Sequence, residues 1–164
     1  MNSPWIAPSI LAADFSRLGE EIQSVLSAGA DLIHYDVMDN HYVPNLSVGP
    51  LVLQSLRKAN VDCLFDVHLM VKPVDRLVED FLDAKPEFIS VHPETTEHLN
   101  RTLALIKSGG SKAGIVFNPS TPLTVLEEVM ELVDLVLIMS VNPCLLYTSP
   151  SPRDLSTSRM PSSA

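Results

Sequence analysis

The sequence predicts an α/β fold built on a parallel sheet, and two observations predict it. Apolar, β-branched runs alternate with runs of helical period six times in succession, and the tight turns that join antiparallel hairpins are almost absent. A third observation points to closure. Asp36, His68, His92, Asn118 and Asn142 stand at or just beyond the C-terminal ends of strands two to six. A barrel gathers all of its strand ends around one mouth, whereas an open sheet concentrates functional groups near one switch point. No Gly-rich dinucleotide turn follows strand one, where the text reads Ser9-Ile10-Leu11-Ala12-Ala13-Asp14. The expectation is therefore a (β/α)8 TIM barrel. It is incomplete here, with about six β/α units, because eight units take on the order of 200–250 residues.

Residues 5–11 read as strand one. A helical pattern follows through Leu18, Ile22, Val25 and Leu26 and stops at Gly29, a residue suited to a left-handed cap. Strand two is predicted at 31–36, and a polar loop with Asn40, His41, Pro44 and Asn45 leads to Pro50, which opens a helix through Leu56. Strand three covers 62–70, and Pro73 opens the helix at 74–84. Strand four is 88–92, before a helix carrying Leu99, Leu103 and Ile106 that Gly109 and Gly110 end. Residues 112–117 form strand five. Asn118-Pro119 turn the chain into a helix with Leu123, Leu126 and Val129, and strand six spans 133–140. From Cys144 onward serine, proline and threonine dominate and no period survives. Residues 1–143 are read as a partial barrel domain and 144–164 as a non-native, disordered tail that cannot bury enough apolar surface to order itself.

The 164 residues carry a formal net charge of −9, and 46% of them are hydrophobic. That is enough for a real core. The acidic balance argues against nucleic acid or an anionic membrane as partner. A phosphorylated substrate stays compatible, because backbone N–H groups can bind phosphate locally. Cys63 and Cys144 are the two cysteines, and the position of Cys63 at a strand start favours a free thiol in a reducing compartment. The N-terminus lacks a basic leader region, and the apolar run near 135–139 is too short to span a bilayer. The expected location is cytoplasmic.

The chemistry is concentrated in two strands. Side chains at i and i+2 share a face, so His34, Asp36 and Met38 lie on one side of strand two, and Asp66, His68 and Met70 on one side of strand three. Imidazoles and carboxylates are costly inside a core unless they are paired or bound to a metal. His34 with Asp36 alone would read equally as a buried hydrogen-bonded pair. With His68 at the same level of the next strand, the pattern reads as the floor of a divalent-metal site. Asp66 reads as a residue orienting a histidine. His41 is expected in a solvated loop and His98 on a helix surface. His92 and Asn118 read equally as mouth-lining or as satisfied strand ends. Lys72 invites a Schiff-base reading, but Pro73 directly after it marks a helix start instead.

Four segments resemble the ribulose-phosphate 3-epimerase family. They are Ile6-Ala7-Pro8-Ser9-Ile10-Leu11-Ala12-Ala13-Asp14, the stretch His34-Tyr35-Asp36-Val37-Met38-Asp39-Asn40-His41-Tyr42-Val43-Pro44-Asn45, Asp66-Val67-His68-Leu69-Met70, and Leu137-Ile138-Met139-Ser140-Val141-Asn142-Pro143. The resemblance implies a metal-dependent epimerase of the pentose phosphate pathway, moving one proton at C3 between D-ribulose 5-phosphate and D-xylulose 5-phosphate through an enediolate. By similarity His34, Asp36 and His68 would hold one divalent ion (Zn, Fe, Mn or Co), and Asp36 would double as one of two acid/base carboxylates. Ser9 and His68 would contact substrate, and Met38, Met70 and Met139 would form an apolar lid. Polarizable Met side chains can pack on a flat intermediate without competing polar groups. The resemblance also implies homo-oligomers for full-length relatives, which a shorter chain need not form.

The chain departs from that pattern where Pro143 meets Cys144 in place of a Gly-rich phosphate loop. The strand that would bring the second carboxylate and a fourth metal ligand is not found, so the chain as written is expected to be nearly inactive. Loss of one acid/base group costs about 10²–10⁴-fold. An allulose 6-phosphate 3-epimerase, using the same metal site, is the alternative within the enzyme class, and a non-catalytic metal-binding fragment is the alternative outside it. A decarboxylase or aldolase on a related barrel fits less well, since Val37-Met38 rather than a lysine lies between Asp36 and Asp39.

Overall fold

A computed structural model describes residues 4–143. Cys144 and the expected tail at 144–164 lie outside the described residues. Ten regular elements alternate: α1 (Leu18–Ser27), β1 (Ile33–Met38), α2 (Pro50–Lys58), β2 (Phe65–Met70), α3 (Asp75–Leu82), β3 (Phe88–Val91), α4 (Leu99–Ser108), β4 (Lys112–Phe117), α5 (Thr124–Glu127) and β5 (Leu135–Ile138). The five strands pair in parallel in sequence order, β1-β2-β3-β4-β5. Such an order, with a helix in each crossover, is the sheet of a β/α barrel laid out unit by unit.

Each strand divides its residues between two layers. Ile33, Tyr35 and Val37 of β1, Phe65, Val67 and Leu69 of β2, Ile89 and Val91 of β3, and Ile115 of β4 are all buried in one cluster with Leu18, Ile22, Leu53, Leu56, Val78, Phe81, Leu103 and Ile106 from the helices. Each fully buried side chain of this size is worth about 1.5–3 kcal/mol of transfer free energy. Tyr35 stacks edge-on against Phe65 and Phe81, at 6.2 and 5.9 Å between ring centroids. The alternate residues, His34, Asp36, Met38, Asp66, His68 and Met70, are excluded from that layer and turn to the opposite face.

Strand one departs from expectation. The extended segment ahead of Ile10 donates no full ladder to β1: the amides of Asp31 and Leu32 reach Ile6 O, the His34 amide donates to Pro8 O, and a single bridge joins Ser9 to His34. Pro8 has no N–H to offer. Ser9 then accepts from the Leu11 amide at 3.1 Å and caps a 3-10 turn at Ile10–Ala12, which takes the chain out of the strand. Six expected β/α units thus become five paired strands and one bridged segment. The expected helix through Leu123, Leu126 and Val129 shrinks to the single turn of α5 and a 3-10 turn at Met130–Leu132. Glu127, Glu128 and Glu131 gather near its C-terminal end, where the helix dipole disfavours negative charge. Strand three begins at Phe65 rather than 62, which leaves half-buried Cys63 in the preceding loop as a free thiol. The helix after Pro73 begins two residues later, at Asp75, and the Lys72–Pro73 bond is cis.

Candidate metal centre

Register brings the predicted residues together. His34 stands opposite Asp66 and Asp36 opposite His68 in the β1–β2 pair. One donor atom each from His34, Asp36 and His68 lies within 4.8 Å of the other two. His34 Nε2 and His68 Nδ1 are each 3.2 Å from Asp36 Oδ1. Donors about 2.0–2.2 Å from a tetrahedral ion stand roughly 3.3–3.6 Å apart, so both spacings suit a shared divalent cation. The set of two imidazoles and one carboxylate suits zinc, iron, manganese or cobalt.

The remaining atoms of these side chains are already held. Asp66 Oδ2 lies 2.8 Å from His34 Nδ1, leaving Nε2 directed at Asp36. Ser90 Oγ donates to Asp66 Oδ1 at 3.4 Å. The Ser9 hydroxyl donates to the second Asp36 oxygen, Oδ2. His68 Nε2 lies 2.8 Å from His92 Nε2. Both His68 and His92 are fully buried.

Charge follows from these contacts. Burial opposes a proton on His34, but hydrogen bonds to Asp36 and Asp66 outweigh it and hold the imidazole up to about 10. Burial alone would raise Asp36; hydrogen bonds from His34, His68 and Ser9 overcome it and push the carboxyl well below its usual range. His68 is pushed down by burial, against the pull of Asp36. His92 is pushed down to about 3, by burial first and by its neighbour His68 second. The contacts therefore favour a proton on His34 and disfavour one on His68, and a metal held there would have to displace the His34 proton.

The other expectations fall out unevenly. Met38 and Met70 are buried together with Val43, against Leu11 and Tyr42. Met139, half-buried just past β5, is not in that group. His41 and His98 are exposed, as expected. Asp39 is spent on the loop: it accepts from the amides of His41 (2.8 Å), Tyr42 (3.0 Å) and Lys72 (2.7 Å). Lys72 Nζ donates to Glu94 O at 2.9 Å and makes no approach to the centre. Asn118 Nδ2 donates to the Tyr42 hydroxyl at 2.7 Å. Sequence reasoning left His92 open and missed Ser90. The available signal was that both fall on the face of β3 that continues the Asp66/His68 row.

A profile of the ribulose-phosphate 3 epimerase family matches residues 5–145. The chain belongs to this family. It is 62% identical over 143 residues to ribulose-phosphate 3-epimerase of Escherichia coli strain K12, an overlap of 87% of this chain and 64% of that relative. The enzyme of the same name from Buchnera aphidicola of Acyrthosiphon pisum is 61% identical over 143 residues, covering 87% and 63%. The chain thus spans a little under two thirds of the length of these family members. Among solved structures, the tryptophan synthase alpha chain of Legionella pneumophila aligns with a TM-score of 0.57 at 10% identity, over 84% of this chain and 62% of that one. The 3-dehydroquinate dehydratase of Aquifex aeolicus aligns at 0.54 and 15%, over 82% and 67%. At such identities these likenesses speak for the fold alone. Among the described residues no helix is long and apolar enough to cross a membrane.

Proposed function

We propose that the protein serves metal-dependent epimerisation at C3 of a five-carbon ketose phosphate, interconverting D-ribulose 5-phosphate and D-xylulose 5-phosphate. The observation that carries this is the convergence of His34 Nε2, Asp36 Oδ1 and His68 Nδ1 at one point, in a chain of this family. Removing a proton beside a carbonyl leaves an enediolate, and a divalent cation held by His34, Asp36 and His68 would supply Lewis-acid stabilisation of its charge.

The protein's own residues do the rest. Asp36 Oδ2, the carboxylate oxygen not shared with the two imidazoles, moves the C3 proton. The Ser9 hydroxyl, already directed at that oxygen, orients it and meets the substrate beside His68. Asp66 holds His34 in the rotamer and tautomer that present Nε2. Buried Met38 and Met70 exclude water above the reacting carbons without adding competing polar groups. Met139, from the far edge of the sheet, joins them when substrate is bound. Epimerisation also needs an acid on the opposite face. Asp39 and Asp66 do not serve, being bound to loop amides and to His34 and Ser90. The second carboxylate and the phosphate-binding loops come from the part of the relatives' length that this chain does not align with.

The test is a coupled assay for xylulose 5-phosphate formation with added divalent metal. It compares this chain with a fusion of residues 1–143 to the C-terminal third of the Escherichia coli relative. Turnover by the fusion, abolished by Asp36→Asn, is expected, with the 164-residue chain at least 10²-fold slower. A well-folded fusion that leaves ribulose 5-phosphate untouched overturns the reading.

A further inference from the structure

His92 is a fully buried histidine that the mechanism above does not use. It follows β3 directly, and its carbonyl is pinned by the Thr95 amide (3.1 Å) and the Thr95 hydroxyl (2.7 Å), so the ring has a fixed base. The ring lies between Tyr42 and His68, with centroids 5.0 Å from each. Its Nε2 is 2.8 Å from His68 Nε2. Two ring nitrogens at that distance share one proton, since two lone pairs repel and two N–H groups collide.

The proton's owner follows from the rest of the centre. His68 offers Nδ1 toward Asp36 Oδ1 at 3.2 Å, beside His34 Nε2, so Nδ1 is the nitrogen on the metal-binding side. A ligating nitrogen must carry a lone pair, and a neutral imidazole has one proton. That proton therefore sits on His68 Nε2 and is donated to His92 Nε2. His92 in turn keeps its own proton on Nδ1. That atom is buried without a hydrogen-bond partner, and the nearest carboxylate oxygen is Glu94 Oε2 at 3.9 Å.

We propose that His92 is a positioning residue: by accepting the Nε2–H of His68 it fixes the tautomer and ring angle that turn the His68 Nδ1 lone pair to the metal. The proposal rests on the metal reading of His34, Asp36 and His68. It gives His68 the counterpart of what Asp66 gives His34, with a neutral acceptor in place of a carboxylate. Ligating histidines generally have such a partner, whose loss costs about 10–100-fold in metal affinity.

The experiment measures zinc dissociation constants for the 164-residue chain by chelator competition, with thermal unfolding as a check on folding. His92→Phe fills the same space without an acceptor, and His92→Gln restores an acceptor oxygen near the position of Nε2. Zinc binding is expected to weaken about 10–100-fold in His92→Phe and to stay within about threefold of the parent in His92→Gln. Nitrogen-15 spectra of the zinc-loaded parent are expected to show His68 protonated at Nε2 and His92 at Nδ1, a readout that needs no variant to fold. A His92→Phe protein that binds zinc like the parent, equal losses in both variants, or the reverse tautomers overturns the proposal and leaves the metal site standing. A parent that binds zinc no better than His34→Ala overturns the metal reading and this inference with it.

Discussion

Gly114→Ala is the change that best tests how tightly the floor of the centre is built. Gly114 stands opposite Ser90 in the β3–β4 register. A methyl group placed there would overlap Ser90 Oγ and lie 2.9 Å from Ser90 Cβ and 3.1 Å from Ser90 Cα. Carbon atoms in contact settle at about 3.5–4.0 Å, so the two strands must part by several tenths of an ångström even after the hydroxyl rotates away. Overpacking of this kind costs about 1–3 kcal/mol. Rotation of Ser90 also gives up its hydrogen bond to Asp66, which positions His34. Gly114→Ala is thus expected to lower the urea midpoint at constant slope and to weaken zinc binding together with it. Ser90→Gly removes two of the three close contacts. In a double-mutant cycle the pair is expected to be less destabilised than the sum of the singles, with a coupling of roughly 0.5–3 kcal/mol. A Gly114→Ala protein within about 0.5 kcal/mol of the parent, or a strictly additive pair, refutes the reasoning.

Asp36→Asn removes the charge on which both imidazoles converge, and zinc binding by the chain is expected to fall below detection in equilibrium dialysis with the fold retained. Asp66→Asn leaves the ligands in place but alters the His34 tautomer; a 10–100-fold loss of zinc affinity is expected in the same measurement. The chelated protein should lose stability in alkali. His34 is held up to about 10 in the folded state against 6.5 for an ordinary histidine, so its contribution is complete below pH 6.5 and fades as pH rises toward 10. Urea midpoints at pH 6.5 and 9.5 check this, and a His34→Gln variant should show a smaller drop between them.

The alternation of layers was legible because it is a period-two pattern within single strands. Val, Ile and Phe mark one face of β1 and β2, and the chemistry-bearing residues mark the other. Helix positions followed from Leu spacing and from Gly29, Pro50 and Gly109, and β4 was placed at its observed bounds. What failed did so where local polar chemistry competes with the regular element. Ser9 caps a turn that ends the first extended segment, and the glutamates after Leu126 cut the fifth helix to one turn. The contact between His92 and His68 was hidden for a different reason. It joins side chains 24 residues apart across neighbouring strands, and its form depends on register, which no single-strand pattern carries. Ser90 against Gly114 is hidden in the same way: only the pairing shows that a small residue is required opposite a hydroxyl.

Register is also where the fold and the chemistry depend on each other. β1 carries imidazole then carboxylate, at His34 and Asp36, and β2 carries them in reverse, at Asp66 and His68. In the observed pairing each histidine faces a carboxylate across the strand boundary. A one-residue slip of β2 would turn Asp66 and His68 into the layer packed against the helices, at the cost of burying unpaired charge. A two-residue slip in one direction would set Asp36 against Asp66, and in the other His34 against His68, like facing like in a low-dielectric interior. The reversed order therefore selects the one alignment in which His34 Nε2, Asp36 Oδ1 and His68 Nδ1 meet. The same interactions that make the metal-free sheet choose its register leave a site with the ligand spacing of a divalent ion. Folding of β1 against β2 and assembly of the centre are one event.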